Sequence, residues 1–207
     1  MTRLYLTRHG QTEWNLEGRM QGSKDSPLTK LGLYQAKQLG KRLEDLNIDL
    51  VYSSSSERTM NTAKIIIADR KINIIPTDQL KEMNFGFWEG MTFEEIKVQY
   101  PDLYQCFWNT PHLLSQCPGE SFEQLKHRVV TFINKIVEEN EGKDILVVTH
   151  GIVLKILIAN FKGLTLKDIF KDQVLKPTSL TVVEVENNNY NIVKYGDTEH
   201  YNLKVEE

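Results

Sequence analysis

Apolar, β-branched runs alternate along this chain with segments of helical period, and no other feature of the sequence constrains the fold as strongly. Residues 4–7 read as a strand, 30–46 as a helix, 48–53 as a strand, 57–70 as a helix and 72–76 as a strand, giving a βαβαβ order. Helical pattern resumes over 92–100, ahead of Pro101, and over 121–140. The run DILVVT at 144–149 is a buried strand, and a helix is expected over 151–161. SLTVVEVE and YNIVKY flank Asn187-Asn188-Asn189, which predicts a hairpin at or near a sheet edge. Crossover helices must cover both faces of a parallel sheet. The expected fold is therefore α/β: a three-layer αβα sandwich on a mostly parallel sheet, with an antiparallel edge strand. A single domain is expected over 1–207.

Charge and composition narrow the partners. Twenty-five Lys and Arg against 28 Asp and Glu give a net charge of −3, so a nucleic-acid partner is not expected and any anion site must be local. No run approaches the roughly 18 apolar residues of a membrane span, and the first residues lack a signal-peptide pattern, which points to the cytoplasm with no membrane association. Cys106 and Cys117 have no second pair nearby, so they form neither a disulfide framework nor a zinc pattern and read as structural thiols.

In open α/β sheets, ligands bind beyond the carboxyl ends of the strands. Those positions are unusually polar here. Arg8 and His9 follow the first strand, with Asn15 in the loop beyond. SSSSERT follows the second and contains Arg58; Glu82 follows the third; His150-Gly151 follows DILVVT. Either histidine alone could merely satisfy a strand end, and Glu82 alone would be a solvated acid. Ser55 or Ser56 reads as a helix N-cap, which puts Arg58 in the first turn, where a cation opposes the helix dipole unless an anion binds there.

Phosphoryl transfer through a phosphohistidine uses such a set. Neutral imidazole, with a reference pKa of about 6.5, is already a nucleophile near pH 7. Two arginines, a second histidine and an asparagine amide can stabilise charge on the equatorial oxygens. A carboxylic acid can protonate the leaving oxygen and then activate the hydrolytic water. Two histidines and a carboxylate could in principle hold a metal, but paired arginines would repel it, so no metal and no cofactor is expected.

The stretch Leu6-Thr7-Arg8-His9-Gly10-Gln11-Thr12-Glu13-Trp14-Asn15, with Gly18-Arg19-Met20-Gln21-Gly22 and Asp25 to Thr29, resembles the N-terminal signature of the histidine phosphatase superfamily, the phosphoglycerate mutase-like proteins. Tyr52-Ser53-Ser54 to Arg58-Thr59, the Glu82 to Gly90 stretch, Pro118-Gly119-Glu120-Ser121 and Val148-Thr149-His150-Gly151 follow in the family's order. The resemblance spans about residues 1 to 185 and is nearest to PhoE-like broad-specificity phosphatases. It implies His9 as the phosphorylated nucleophile, Arg8, Asn15, Arg58 and His150 as the phosphate pocket, Glu82 as proton donor, and Gln21, Gly22 and Gly151 beside the substrate.

Mutases and phosphatases share this core. The resemblance also implies a small helical cap insertion over about 84–120; a mutase must bind a second anionic group and so needs cations on that cap, yet between Met91 and Glu120 the chain carries only Lys97 among acids. Phe93, Tyr100, Leu103, Tyr104, Phe107 and Trp108 lie there instead, as core or as a wall for an apolar leaving group. A metal-independent phosphatase of small phosphomonoesters is expected. A phosphoglycerate mutase is the alternative, followed by a non-catalytic phospho-ligand scaffold, and a protein phosphatase is disfavoured by the long segment between Glu82 and DILVVT. A homodimer stays open. His112, His127 and His200 read as surface or structural, and the tail after Gly196 as fraying or folding over a neighbouring surface.

Overall fold

The computed structural model describes residues 1–114, 119–171 and 174–202. Cys117, Pro118 and the last five residues of the tail lie outside them. Six strands form one sheet in the order β3-β2-β4-β1-β5-β6: β1 (Thr2–Arg8), β2 (Leu50–Ser54), β3 (Ile74–Thr77), β4 (Asp144–Thr149), β5 (Leu180–Glu186) and β6 (Asn189–Asp197). The first four are mutually parallel. β5 runs against β1, and β6 returns against β5. The expected α/β sheet with an antiparallel edge is thus present, extended by a whole hairpin whose first strand is interior.

Residue parity along the strands separates two apolar clusters, as the two-residue period of a strand requires. Leu4, Leu6, Ile145 and Val147 pack on one face with α6 (Phe122–Glu139) and α7 (Gly151–Phe161). Tyr5, Leu146 and Val148 pack on the other with α2 (Lys30–Arg42) and α3 (Glu57–Ile67). Helix α7 is apolar nearly all round, with seven buried residues, as expected of a helix enclosed on most sides.

Several boundaries differ from the sequence pattern. The helix expected to 46 ends at Arg42, and the one expected to 70 ends at Ile67, where Ala68 takes a positive φ of 47°. Pro101, expected only to stop a helix, sits at the first position of a further one, α5 (Pro101–Asn109), directly after α4 (Phe93–Gln99). Proline's fixed φ suits that position, where its missing N–H costs nothing. His112 and His127 are exposed, while His200 is fully buried beside Thr178. Burial holds His200 down at a pKa of about 4. Cys106 is a half-buried free thiol.

Candidate active site

Register brings the strand exits together. Arg8 at the end of β1 pairs with Thr149 at the end of β4, so His9 and His150, the next residues on each strand, emerge side by side. Their ring centroids lie 5.4 Å apart, and both side chains are buried. The His9 amide donates to the Thr149 carbonyl at 2.9 Å, fixing this juncture through the backbone.

Hydrogen bonds assign both tautomers. His9 Nδ1 lies 2.7 Å from the Gly10 carbonyl, which only accepts, so Nδ1 carries the proton and Nε2 keeps its lone pair. The Arg58 Nη2 donates to His150 Nδ1 at 3.1 Å, so the His150 proton is on Nε2 and is donated to Ser54 Oγ at 2.8 Å. Burial holds both imidazoles well below their ordinary pKa, and the neighbouring guanidiniums of Arg58 and Arg8 push the same way. Both rings are neutral at neutral pH.

The arginines are held on one side and open on the other. Arg58 is 1% exposed; its Nη1 donates to Asp25 Oδ1 at 2.6 Å and to the Lys24 carbonyl, and its Nη2 also donates to the Gly22 carbonyl. Arg8 Nη1 donates to the Leu175 carbonyl at 3.0 Å. The Nε atoms of both arginines are buried without a hydrogen-bond partner. A buried donor left unpaired costs about 1–3 kcal/mol, and an oxyanion is the acceptor that two guanidiniums share best.

Ser56 is the N-cap of α3, yet its side chain makes no capping bond. The Asp25 carboxylate does so instead, accepting from the amides of Glu57 and Arg58 while pairing with the Arg58 side chain. Asp25 thus offsets the misfit between a cation and a helix N-terminus. Sequence reasoning missed this role, because no local spacing ties residue 25 to residue 58.

Glu82 stands opposite. Its carboxylate accepts from the amides of Met83 at 3.0 Å and Ile152 at 3.2 Å, the latter in the first turn of α7. Burial raises its pKa, and those two amides with Arg58 and Arg8 only partly counter this. A Cβ on Gly151 would lie 3.6 Å from Arg8 Nε and 3.9 Å from Glu82 Oε2, so guanidinium and carboxylate face one small space.

The remaining expected residues surround it. Asn15 spends its amide oxygen on the Thr12 amide at 3.0 Å in the capping box of the short helix α1 (Glu13–Leu16). Gln21 Nε2 donates to Thr12 Oγ1 at 2.8 Å, while its Oε1 is buried unpaired. Gly22 has φ +56°, the left-handed region that favours glycine, and a Cβ there would displace the Glu89 carboxylate. A cavity of about 450 Å³ joins Arg8, His9, Asn15, Gln21, Gly22, Glu82 and Gly151; Arg58 and His150 stand behind it.

The cap aromatics divide. Phe107 is core, touching Phe85, Trp88, Phe122 and Phe170. Phe93 and Trp108 line the cavity, together with Trp14, Phe85 and Phe170 from outside the expected set. Lys97 is not at the cavity; its cations above the floor are Arg19, after α1, and Lys155, on α7, which the search for charge on the cap missed. Among the described residues, no group of three or more His, Cys, Asp or Glu is placed to hold a metal ion.

Residues 4–198 match the model of the histidine phosphatase superfamily, branch 1. The chain is 30% identical over 200 residues to phosphoserine phosphatase 1 of Hydrogenobacter thermophilus, covering 97% of this chain and 94% of that one. It is 33% identical to the uncharacterized phosphatase PhoE of Bacillus subtilis, covering 79% of each. The solved structure of Bacillus stearothermophilus YhfR superposes with a TM-score of 0.94 at 42% identity, covering 97% of this chain and 99% of that one. Proteins named as phosphatases and as phosphoglycerate mutases both stand among the relatives. A match that runs nearly end to end in both sequence and shape leaves one conclusion: this chain belongs to the histidine phosphatase superfamily.

Proposed function

We propose that the protein is a metal-independent phosphatase that hydrolyses small phosphomonoesters through a phosphohistidine on His9. The observation that carries this reading is the His9 tautomer: Nδ1–H is tied to the Gly10 carbonyl, which leaves the Nε2 lone pair as nucleophile. Nε2 forms the N–P bond as the ester P–O bond breaks, and Glu82 gives its proton to the departing oxygen. The ring becomes cationic, and its Nδ1–H bond to Gly10 strengthens. The unpaired Nε donors of Arg8 and Arg58 hold the phosphoryl oxygens, with Asn15 and His150 beside them. Water then attacks phosphorus, Glu82 takes its proton, and the N–P bond breaks to release phosphate.

Phe93, Trp108, Phe85 and Phe170 favour a leaving group with an apolar or aromatic surface. Residues 84–120 act in this reading as a cap over a single domain. The mutase alternative draws on Arg19 and Lys155, which can meet a second anionic group, yet Arg19 already serves Glu17 and the Gly90 carbonyl. Phosphate release in EDTA from p-nitrophenyl phosphate, phosphoserine, 3-phosphoglycerate and sugar phosphates, with His9→Ala as control, tests the proposal. Release by the wild type alone supports it. Silence across the panel, with turnover of 3-phosphoglycerate primed by 2,3-bisphosphoglycerate, replaces it with the mutase.

A further inference from the structure

Glu82 sits in a strap, residues 78–86, whose middle is irregular backbone between two short 3₁₀ turns, and its placement depends on what holds that strap. Arg128 on α6 and Glu120 just before it grip the strap on both sides of the acid, Arg128 through its side chain and Glu120 chiefly through its backbone amide. Ahead of Glu82, Arg128 Nη1 donates to the carbonyls of Gln79 at 2.8 Å and Lys81 at 3.0 Å, with Asp78 at 3.4 Å. Past Glu82, the Glu120 amide donates to the Asn84 carbonyl at 2.8 Å, and its carboxylate accepts weakly from the Asn84 amide at 3.4 Å. The two grips are one unit, because Arg128 Nε and Nη2 fork onto the Glu120 carboxylate at 2.9 and 2.7 Å. Gly119 permits the approach: a Cβ there would fall 2.4 Å from the Asn84 carbonyl oxygen.

We infer that the Glu120–Arg128 pair is a positioning device for the general acid, fixing the strap so that the Glu82 carboxyl reaches the leaving oxygen. The inference rests on the assignment of Glu82 as that acid. Neither residue lines the 450 Å³ cavity; both line a second, polar recess of about 420 Å³, which Glu82 borders as well. The geometry needs a fork: a lysine keeps the charge but cannot hold a carboxylate bidentately and three carbonyls together. Arg8 and Arg58 are the charges facing Glu82 from β1 and α3, and His9 and His150 the neutral titratable groups; the Arg128 guanidinium also acts through space on His150, and Arg128→Lys keeps that charge. A slackened strap lets water reach Glu82 and lowers its raised pKa.

The test measures kcat/KM for p-nitrophenyl phosphate and for an alkyl phosphate in Arg128→Lys and Glu120→Gln, alone and combined with Glu82→Gln. The expected result is a loss of about tenfold on the alkyl ester against about twofold or less on the nitrophenyl ester. The alkaline limb of the pH profile should move to lower pH, and no further loss should appear in the Glu82→Gln background. Two variants guard against a fold defect in either. Equal losses on both esters, or losses that add fully to Glu82→Gln, overturn the inference while leaving Glu82 as the acid. If Glu82→Gln itself does not discriminate between the esters, the acid assignment falls and this inference with it.

Discussion

The floor and the wall of the cavity are built on different logic. Arg8, His9 and His150 stand where paired strands end, so backbone register places them and their bonds go to fixed backbone or buried groups. The wall comes from short helices, and one segment there serves two ends: Phe107 fills the core while its neighbour Trp108 faces the cavity, their rings 5.0 Å apart. On the proposed reading, substitutions in a floor set by register should cost chemistry, whereas substitutions in the cavity-facing wall should shift specificity. The family uses this freedom, holding phosphatases and mutases together on one scaffold.

The contrast breaks first at Arg58. Arg58→Ala should cut kcat/KM by about 10²–10³-fold and weaken phosphate binding together with turnover. It also removes the ion pair to Asp25, which keeps only its bonds to the backbone amides of residues 57 and 58, so thermal unfolding should show a lower Tm. Retained activity would move the phosphate elsewhere. Glu82→Gln should lose about 10²-fold on alkyl phosphates and far less on p-nitrophenyl phosphate, whose leaving oxygen hardly needs a proton. A steady-state comparison of the two esters decides this.

The wall offers a sharper division between adjacent residues. Phe107→Ala should cost about 3–5 kcal/mol of stability by denaturant titration and leave the ranking of substrates alone. Trp108→Ala should weigh the other way, lowering kcat/KM for aryl relative to alkyl esters by about 1–2 kcal/mol, roughly five- to thirtyfold, with a smaller loss of stability than Phe107→Ala because Trp108 is half-buried. If both behave alike, the wall is core and sets no specificity.

Acid provides the mildest perturbation. His9, His150 and His200 are neutral in the fold with pKa values below the ordinary histidine range. On acidification the unfolded chain takes up protons first, below about pH 6.5, while the native state does not, so unfolding is favoured. The stability these groups contribute is therefore full above that pH and falls as pH drops; for His200 the fall runs down to about pH 4. A Tm measured from pH 7.5 to 4.5 should decline, and His200→Gln should flatten the decline in part.

Much of the floor was legible because each piece follows a strand whose pattern is itself legible. Arg8-His9-Gly10 and His150-Gly151 stand at the ends of β1 and β4, and the parallel pairing of those two strands does the rest. Asp25 was not, since its partner is 33 residues away and the bond depends on how a loop folds back over α3. Pro101 was legible as the stop of α4, through its missing N–H and its ring, but not as the start of α5, which its fixed φ also suits. The hairpin was legible from its turn residues. That β5 would lie inside the sheet, against β1, was a matter of tertiary pairing that local pattern does not encode.

The central claim is the covalent intermediate on His9, and its most direct measurement is rapid acid-free quenching of enzyme with ³²P-labelled phosphomonoester. The account predicts a protein-bound phosphate that is labile to acid, stable to alkali, formed before bulk release and absent in His9→Ala. Turnover by the wild type with no such species, or a labelled His9→Ala protein, would contradict it.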